Sequence, residues 1–365
     1  MSNIPHSSQS DGPAEKPGAI VITSGLLHEP DAKTAHGLIR GTERYTILAV
    51  IDAVHAGKDA GEVLDGVHRG IPVYANAQEA IAALGHNRVR YAVIGVATVG
   101  GLLPAPIAAT VKECLRSGIS VVNGLHDYLQ DMPEMVELAR THGAELIDIR
   151  RPKKRQDLHF WSGRIFQVTA PVIAVIGMDC AIGKRTTCRM VRQVCESAGI
   201  NAAMIYTGQT GWLQGGRYGF IFDSTLNDFI SGEIEHAIFS CWEETGAQVI
   251  FVEGQSALRN PSGPCGSEFI ISGNARHTIL IHAPKRKYYD HLPEWGAIPS
   301  VASEIDLIRD LGSTVIALAL NTEDCTDTEA LAFQQQYQKE LGIRVLLPLQ
   351  QGVASVIPLI RSLIQ

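Results

Sequence analysis

A chain of 365 residues exceeds one ordinary domain and suits two, and its 45% apolar residues suffice for two buried cores. The formal net charge of −7 argues against a nucleic-acid partner, and no apolar run reaches the roughly 18 residues of a membrane span. Seven cysteines with no CxxC pair suggest neither a disulfide framework nor a structural zinc site, so no metal is expected and a reducing, cytoplasmic setting is.

Residues 1–17, rich in Pro and Ser, lack the basic start and apolar core of a signal peptide and read as a disordered tail. From Ala19 onward, short β-rich runs alternate with helical segments. Residues 19–23, 45–52, 71–74, 91–97, 119–124 and 144–150 are predicted strands; 33–41, 76–84, 104–117 and 133–142 are predicted helices. That alternation predicts an α/β domain with a Rossmann-like parallel sheet over 18–150. Two glycine-bearing strand ends, "TSG" (23–25) and "GVATVGG" (95–101), fall where such sheets bind ligands, but neither gives GxGxxG. The helix "KTAHGLIR" offers Lys33, His36 and Arg40 to a ligand or a neighbouring subunit.

The segment 151–171, basic and then polar, with a proline near each end, reads as a linker. A second α/β pattern, a P-loop NTPase-like domain, then runs over 172–365. Its predicted strands are 201–206, 247–255, 277–284, 314–321 and 343–349, after a first one from Val172. Its predicted helices are 185–198, 225–245, 301–311, 326–341 and 352–364. Along 225–245, Leu226, Phe229, Ile230, Ile234, Ala237, Ile238 and Cys241 form one apolar stripe.

The stretch "VIAVIGMDCAIGKRTT" (172–187) is a strand, a glycine turn and a helix start. Gly177, Gly183 and Lys184 match a phosphate-cradling loop, one residue longer than G-x4-GK. Asp179, Cys180, Ala181, Ile182, Gly183, Lys184, Arg185, Thr186 and Thr187 are the expected cofactor-binding residues. Arg185 stands where a magnesium-binding hydroxyl belongs in an ATPase. Either Thr186 or Thr187 replaces that hydroxyl, or the loop holds a diphosphate that is never cleaved, as in coenzyme A. Spacing alone does not choose between the two.

Further along, "IFVEGQSALRNPSGPCGSE" (250–268) ends a strand in Glu253, a candidate base or metal ligand, or a helix cap. Cys180 and Cys265 are candidate nucleophiles, or small buried apolar groups. The glycine-rich stretch 206–220 reads as a binding loop carrying Gln209, Thr210 and Arg217, with Asp223 and Asp228 beyond it. His282 ends another strand, before Lys285, Arg286 and Lys287, and is either a base or a core histidine.

Taken together, "GMDCAIGKRTT", "TGQTGWLQGGRYGFIFDSTLNDFISGEIEHAI", "VEGQSALRNPSGPCGSEF" and "HAPKRKYYD" resemble a two-domain P-loop family, long a domain of unknown function, that includes bacterial D-glutamate N-acetyltransferases. "KTAHGLIR", "AVID", "VVNGLHDYL" and "DIRRPKK" fit the same family. The resemblance implies a Rossmann-like domain, a P-loop domain and acetyl-CoA as donor. It carries no catalytic residue, so the following roles rest on residue chemistry. The expected base is Glu253, then His282, then Asp228. Arg217 or Arg259 would grip the carboxylates of a small amino-acid substrate, with Gln209 and Ser256 beside them. The alternative is an ATP- and magnesium-dependent ligase or kinase of the dethiobiotin-synthetase type, with Thr186 and Glu253 on the metal. A nucleotide-sensing regulator is a third class. A homo-oligomer is expected on general grounds.

Overall fold

The computed structural model describes residues 16–364, so the tail expected over 1–17 lies outside it except for Lys16 and Pro17. Two compact units divide at Asp148 and Ile149.

In the first unit, strands β1 (Gly18–Ile22), β2 (Thr46–Ile51), β3 (Val73–Tyr74), β4 (Tyr91–Ile94), β5 (Ser120–Asn123) and β6 (Leu146–Asp148) alternate with helices α1 (Lys33–Arg40), α2 (Ala60–Asp65), α3 (Ala77–Leu84), α4 (Ala105–Arg116) and α5 (Pro133–His142). The sheet is wholly parallel in the order β3-β2-β1-β4-β5-β6, the Rossmann order, with its switch point between β1 and β4. All six predicted strands and four predicted helices are present. Helix α2 was missed; it is short and is started by Asp59, whose side chain accepts from the amides of Gly61 and Glu62. Ile20, Ile22, Ile94 and Val121 are buried in one core, where each contributes about 1.5–3 kcal/mol.

The second unit contains β7 (Val172–Gly177), α6 (Lys184–Ser197), β8 (Ala202–Tyr206), α7 (Gln209–Leu213), β9 (Tyr218–Gly219), α8 (Asn227–Thr245), β10 (Val249–Glu253) and α9 (Ser267–Ile271). After these come β11 (His277–His282), α10 (Val301–Asp310), β12 (Thr314–Leu320), α11 (Asp327–Leu341), β13 (Arg344–Leu346), α12 (Pro348–Gln351) and α13 (Ile357–Ile364). Its seven-stranded sheet is also parallel, in the order β13-β12-β11-β7-β10-β8-β9. Alternation along the strands gives two cores. Val175, Phe251 and Ile281 face α6, while Ile176, Val252 and Leu280 face α8 and α10. Both units are therefore α/β parallel-sheet domains.

The segment 151–171, read as a linker, is bound to α8 within this unit. Buried Glu233 accepts from Lys153 Nζ at 2.6 Å, His159 N at 2.9 Å and His159 Nδ1 at 2.8 Å. Buried Glu235 accepts from Ser162 N at 2.6 Å and Ser162 Oγ at 2.8 Å. Gly232 makes room for this seam: a Cβ there would lie 2.0 Å from the His159 carbonyl oxygen. Helix α8 is thus buried over a wider arc than its predicted stripe, whose first member, Leu226, is half exposed.

Candidate functional site

The loop between β7 and α6 is shaped by backbone needs. A Cβ on Gly177 would come within 2.9 Å of Ile182 Cδ1 and 3.1 Å of Lys184 Cγ. The loop turns through left-handed Ala181 (φ 53°) and Gly183 (φ 93°), the former at a cost of about 1–2 kcal/mol. Gly183 then starts the 14-residue helix α6 and offers no side chain to cap it. The positive end of the helix dipole is joined there by Lys184 and Arg185, an arrangement suited to an anion. Buried Lys184 folds back to donate to the Asp179 carbonyl. Thr186 is half buried and Thr187 buried in the same turn.

Asp179 does not face outward. Its Oδ1 accepts from Asn260 Nδ2 at 3.0 Å, and its Oδ2 accepts from Arg286 Nη1 and Asp290 N, both at 2.9 Å. Arg286 also donates to the Cys180 carbonyl at 2.8 Å and to Glu323 Oε2 at 2.6 Å. Ligand atoms of Asp179, Cys180 and Asp290 lie within 4.8 Å of one another, but both Asp179 oxygens are engaged and the Arg286 cation sits where a metal's charge would be. Left-handed Ser256 (φ 26°), Asp290 (φ 49°) and His291 (φ 63°) add backbone strain to this knot. Asn260, Arg286 and Asp290 were not among the expected site residues, although the basic run at 285–287 marked the place.

Cys180 Sγ lies 3.4 Å from Ser256 Oγ. Burial pushes the thiols of Cys180 and Cys265 up, which works against a thiolate nucleophile.

Glu253 ends β10, beside β7, and its side chain faces the α6 side. It is buried, which raises its pKa against the opposing pull of Arg185, Lys184 and Arg189. Its carboxylate accepts from Thr207 N at 3.2 Å. Helix α7 covers it, since a Cβ on Gly211 would lie 2.8 Å from Glu253 Oε2. The stretch 206–220, read as a binding loop, contains helix α7. Gly216 and Gly219 make room for Tyr206, with a Cβ on either falling within 2.4 Å of it. Gln209 is buried in the first turn of α7.

The remaining expected residues are not gathered at the P-loop. Arg217 donates to Glu244 Oε2 at 2.6 Å on α8 and lies over the Tyr218 ring. Arg259 donates to Ser303 Oγ at 2.9 Å, and its Nε is 3.2 Å from buried Glu304. Asp228 is exposed on the first turn of α8. Asp223 pairs with Arg150. His282 ends β11 on the sheet face opposite α6. Its Nε2 is 3.1 Å from the Tyr337 hydroxyl of α11, and burial lowers its pKa to about 4.

In the first unit, the strand-end crevice is filled from within. The Asp52 carboxylate accepts from Thr23 Oγ1 at 2.7 Å, Gly25 N at 2.9 Å and Leu27 N at 3.0 Å. It also accepts from Val54 N and His55 N, both at 3.2 Å, and His55 Nδ1 is 2.9 Å away.

Comparison with known proteins agrees with this architecture. The DUF1611_C P-loop domain, a domain of unknown function, matches residues 159–357, and the DUF1611_N Rossmann-like domain matches residues 53–152. The chain belongs to the DUF1611 family. It is 28% identical over 272 residues to a protein from a Pseudoalteromonas species named D-glutamate N-acetyltransferase, a match covering 73% of this chain and 79% of that one. A protein of the same name from Tritonibacter scottomollicae is 25% identical over 276 residues, with the same coverage. The crystal structure of a DUF1611 family protein from Anabaena variabilis superposes with a TM-score of 0.85 at 25% identity, covering 94% of this chain and 99% of that one. Among the described residues, no helix is long and apolar enough to cross a membrane.

Proposed function

We propose that the protein is an N-acetyltransferase that moves the acetyl group of acetyl-CoA to the amino group of an amino acid, D-glutamate. The observation that carries this reading is the similarity, over 73% of the chain, to two proteins named for that reaction. The loop chemistry is compatible with it. Lys184, Arg185 and the start of α6 form a donor set for a diphosphate, and Arg185 supplies charge where a phosphoryl-transfer loop would recruit magnesium. Bound there, acetyl-CoA would supply an activated thioester.

In the reaction, the substrate ammonium first loses a proton, because only the neutral amine attacks. The N–C bond forms and the C–S bond breaks. The adduct nitrogen then gives up a second proton, which ends on the departing thiolate. Of the three expected bases, Glu253 is enclosed beneath α7 and Asp228 points to solvent. We assign proton removal to His282 on geometry, because it lines an open cavity and its Nδ1 has no hydrogen-bond partner, although burial weakens it as a base.

The test is coenzyme A release by the purified protein from acetyl-CoA, with D- and L-amino acids, in EDTA and without ATP. Release with D-glutamate is the expected result. No release with any amino acid, together with ADP formation once ATP and magnesium are present, would replace this reading with the ligase one.

A further inference from the structure

On the sheet face opposite α6, a cavity of about 430 Å³ opens beside the end of β11. Its walls include His282, Arg286 and Lys287, then Ser300 at the start of α10, and Tyr337 and Leu341 on α11. Two buried nitrogens in that wall have no hydrogen-bond partner, Arg286 Nε and His282 Nδ1. The parent residues are only 8% and 7% exposed. Buried polar atoms are almost always bonded, so two exceptions in residues that line one cavity point to something that belongs there.

The two atoms ask for different chemistry. Arg286 Nε carries a hydrogen and can only donate. His282 Nε2, facing the Tyr337 hydroxyl at 3.1 Å, can donate to that oxygen, which leaves Nδ1 as an acceptor. The lining carries charge of both signs: exposed Lys287 and the start of the ten-residue helix α10 favour an anion, Arg286 is already met by Asp179 and Glu323, and Glu340 adds a carboxylate that favours an ammonium. An amino acid presents both complements at once, a carboxylate and an ammonium. The other guanidinium nitrogens of Arg286 are committed to Asp179, the Cys180 carbonyl and Glu323, so one side chain joins this wall to the P-loop.

We propose that this cavity binds the acceptor amino acid, with its carboxylate against Arg286 Nε and Lys287 and its amino group toward His282 Nδ1. The word acceptor rests on the acetyltransferase reading; the binding of an amino acid does not. Lys287 is exposed and its replacement should leave the fold intact, so Lys287→Met is the first variant and His282→Asn the second, each checked by its thermal melt. D-glutamate and glutarate, which lacks the amino group, are titrated calorimetrically into each protein, and acetyl-CoA is titrated separately.

Both variants should bind D-glutamate about tenfold or more weakly, with acetyl-CoA affinity within about twofold of wild type. Glutarate binding should fall in Lys287→Met and change little in His282→Asn. Wild-type D-glutamate affinity in a folded Lys287→Met protein overturns the proposal. So does a loss confined to acetyl-CoA, which would make the anion a coenzyme phosphate. If wild type releases no coenzyme A, the acetyltransferase reading fails alone, and the D-glutamate titrations still decide the cavity.

Discussion

Asp52 and Glu253 hold corresponding posts in the two units, each at the end of a strand next to the one that feeds a glycine-bearing loop. Asp52 is met by six donor groups, two of them amides of the very loop that would otherwise cradle a ligand. Glu253 accepts from one amide, Thr207 N, and lies under a helix. Burial acts to raise both pKa values. At Asp52 the hydrogen bonds from Thr23, His55, Leu27 and Gly25 outweigh it and the net shift is downward, whereas at Glu253 burial prevails. A carboxylate at a strand end is therefore not in itself a sign of chemistry. The donors around it decide whether its pKa falls, as at Asp52, or rises with burial, as at Glu253.

The same acid-to-amide change at both posts should separate them. Asp52→Asn is expected to have the largest effect, about 3 kcal/mol or more lost from the first unit, because an amide places its own donors against buried N–H groups. Its pH signature has a definite sign. A depressed folded-state pKa gives stability that is full above the unfolded value of about 4 and is lost as pH falls through the folded one. Chemical denaturation across pH 3–7 should show that loss in wild type and a flatter profile in the variant; matching profiles would remove Asp52 from its structural role.

Next in size is Lys184→Met, which should weaken acetyl-CoA binding by about 10- to 100-fold in titration calorimetry. Unchanged affinity would mean that the second loop is as closed to ligands as the first. Smallest is Glu253→Gln, with stability changed by less than about 1 kcal/mol and turnover within a few-fold, since burial already favours the uncharged form. A fall in turnover of about 100-fold or more with acetyl-CoA affinity intact would return Glu253 to the role of base.

Both sheets were legible in the sequence because strands buried on both faces read as unbroken apolar runs, as in Val172–Gly177. The P-loop was legible because its geometry is local, a glycine, a turn and Gly183-Lys184 within a few residues. Helix α7 was not, since three glycines in and around it suggested a binding loop, and in the fold they make room for Glu253 and Tyr206. Nor was the knot around Asp179, whose partner Asp290 is 111 residues away. Arg217 and Arg259 were read as substrate clamps because nothing nearby in sequence reveals Glu244 or Glu304, the acids that meet them in the fold.

The seam along α8 bears on the order in which the second unit can assemble. His159 is synthesised 74 residues before Glu233, the acid that receives it. During synthesis the segment must wait until α8 has emerged, so closing this unit is a late, long-range event rather than one that zips up from its beginning. A fragment starting at Val172 would never make that closure. It would leave Glu233 and Glu235 without the donors of residues 153–165 and a groove at Gly232 with nothing to fill it. A fragment that keeps this seam whole therefore begins at or before Lys153, well upstream of the first strand of the P-loop domain.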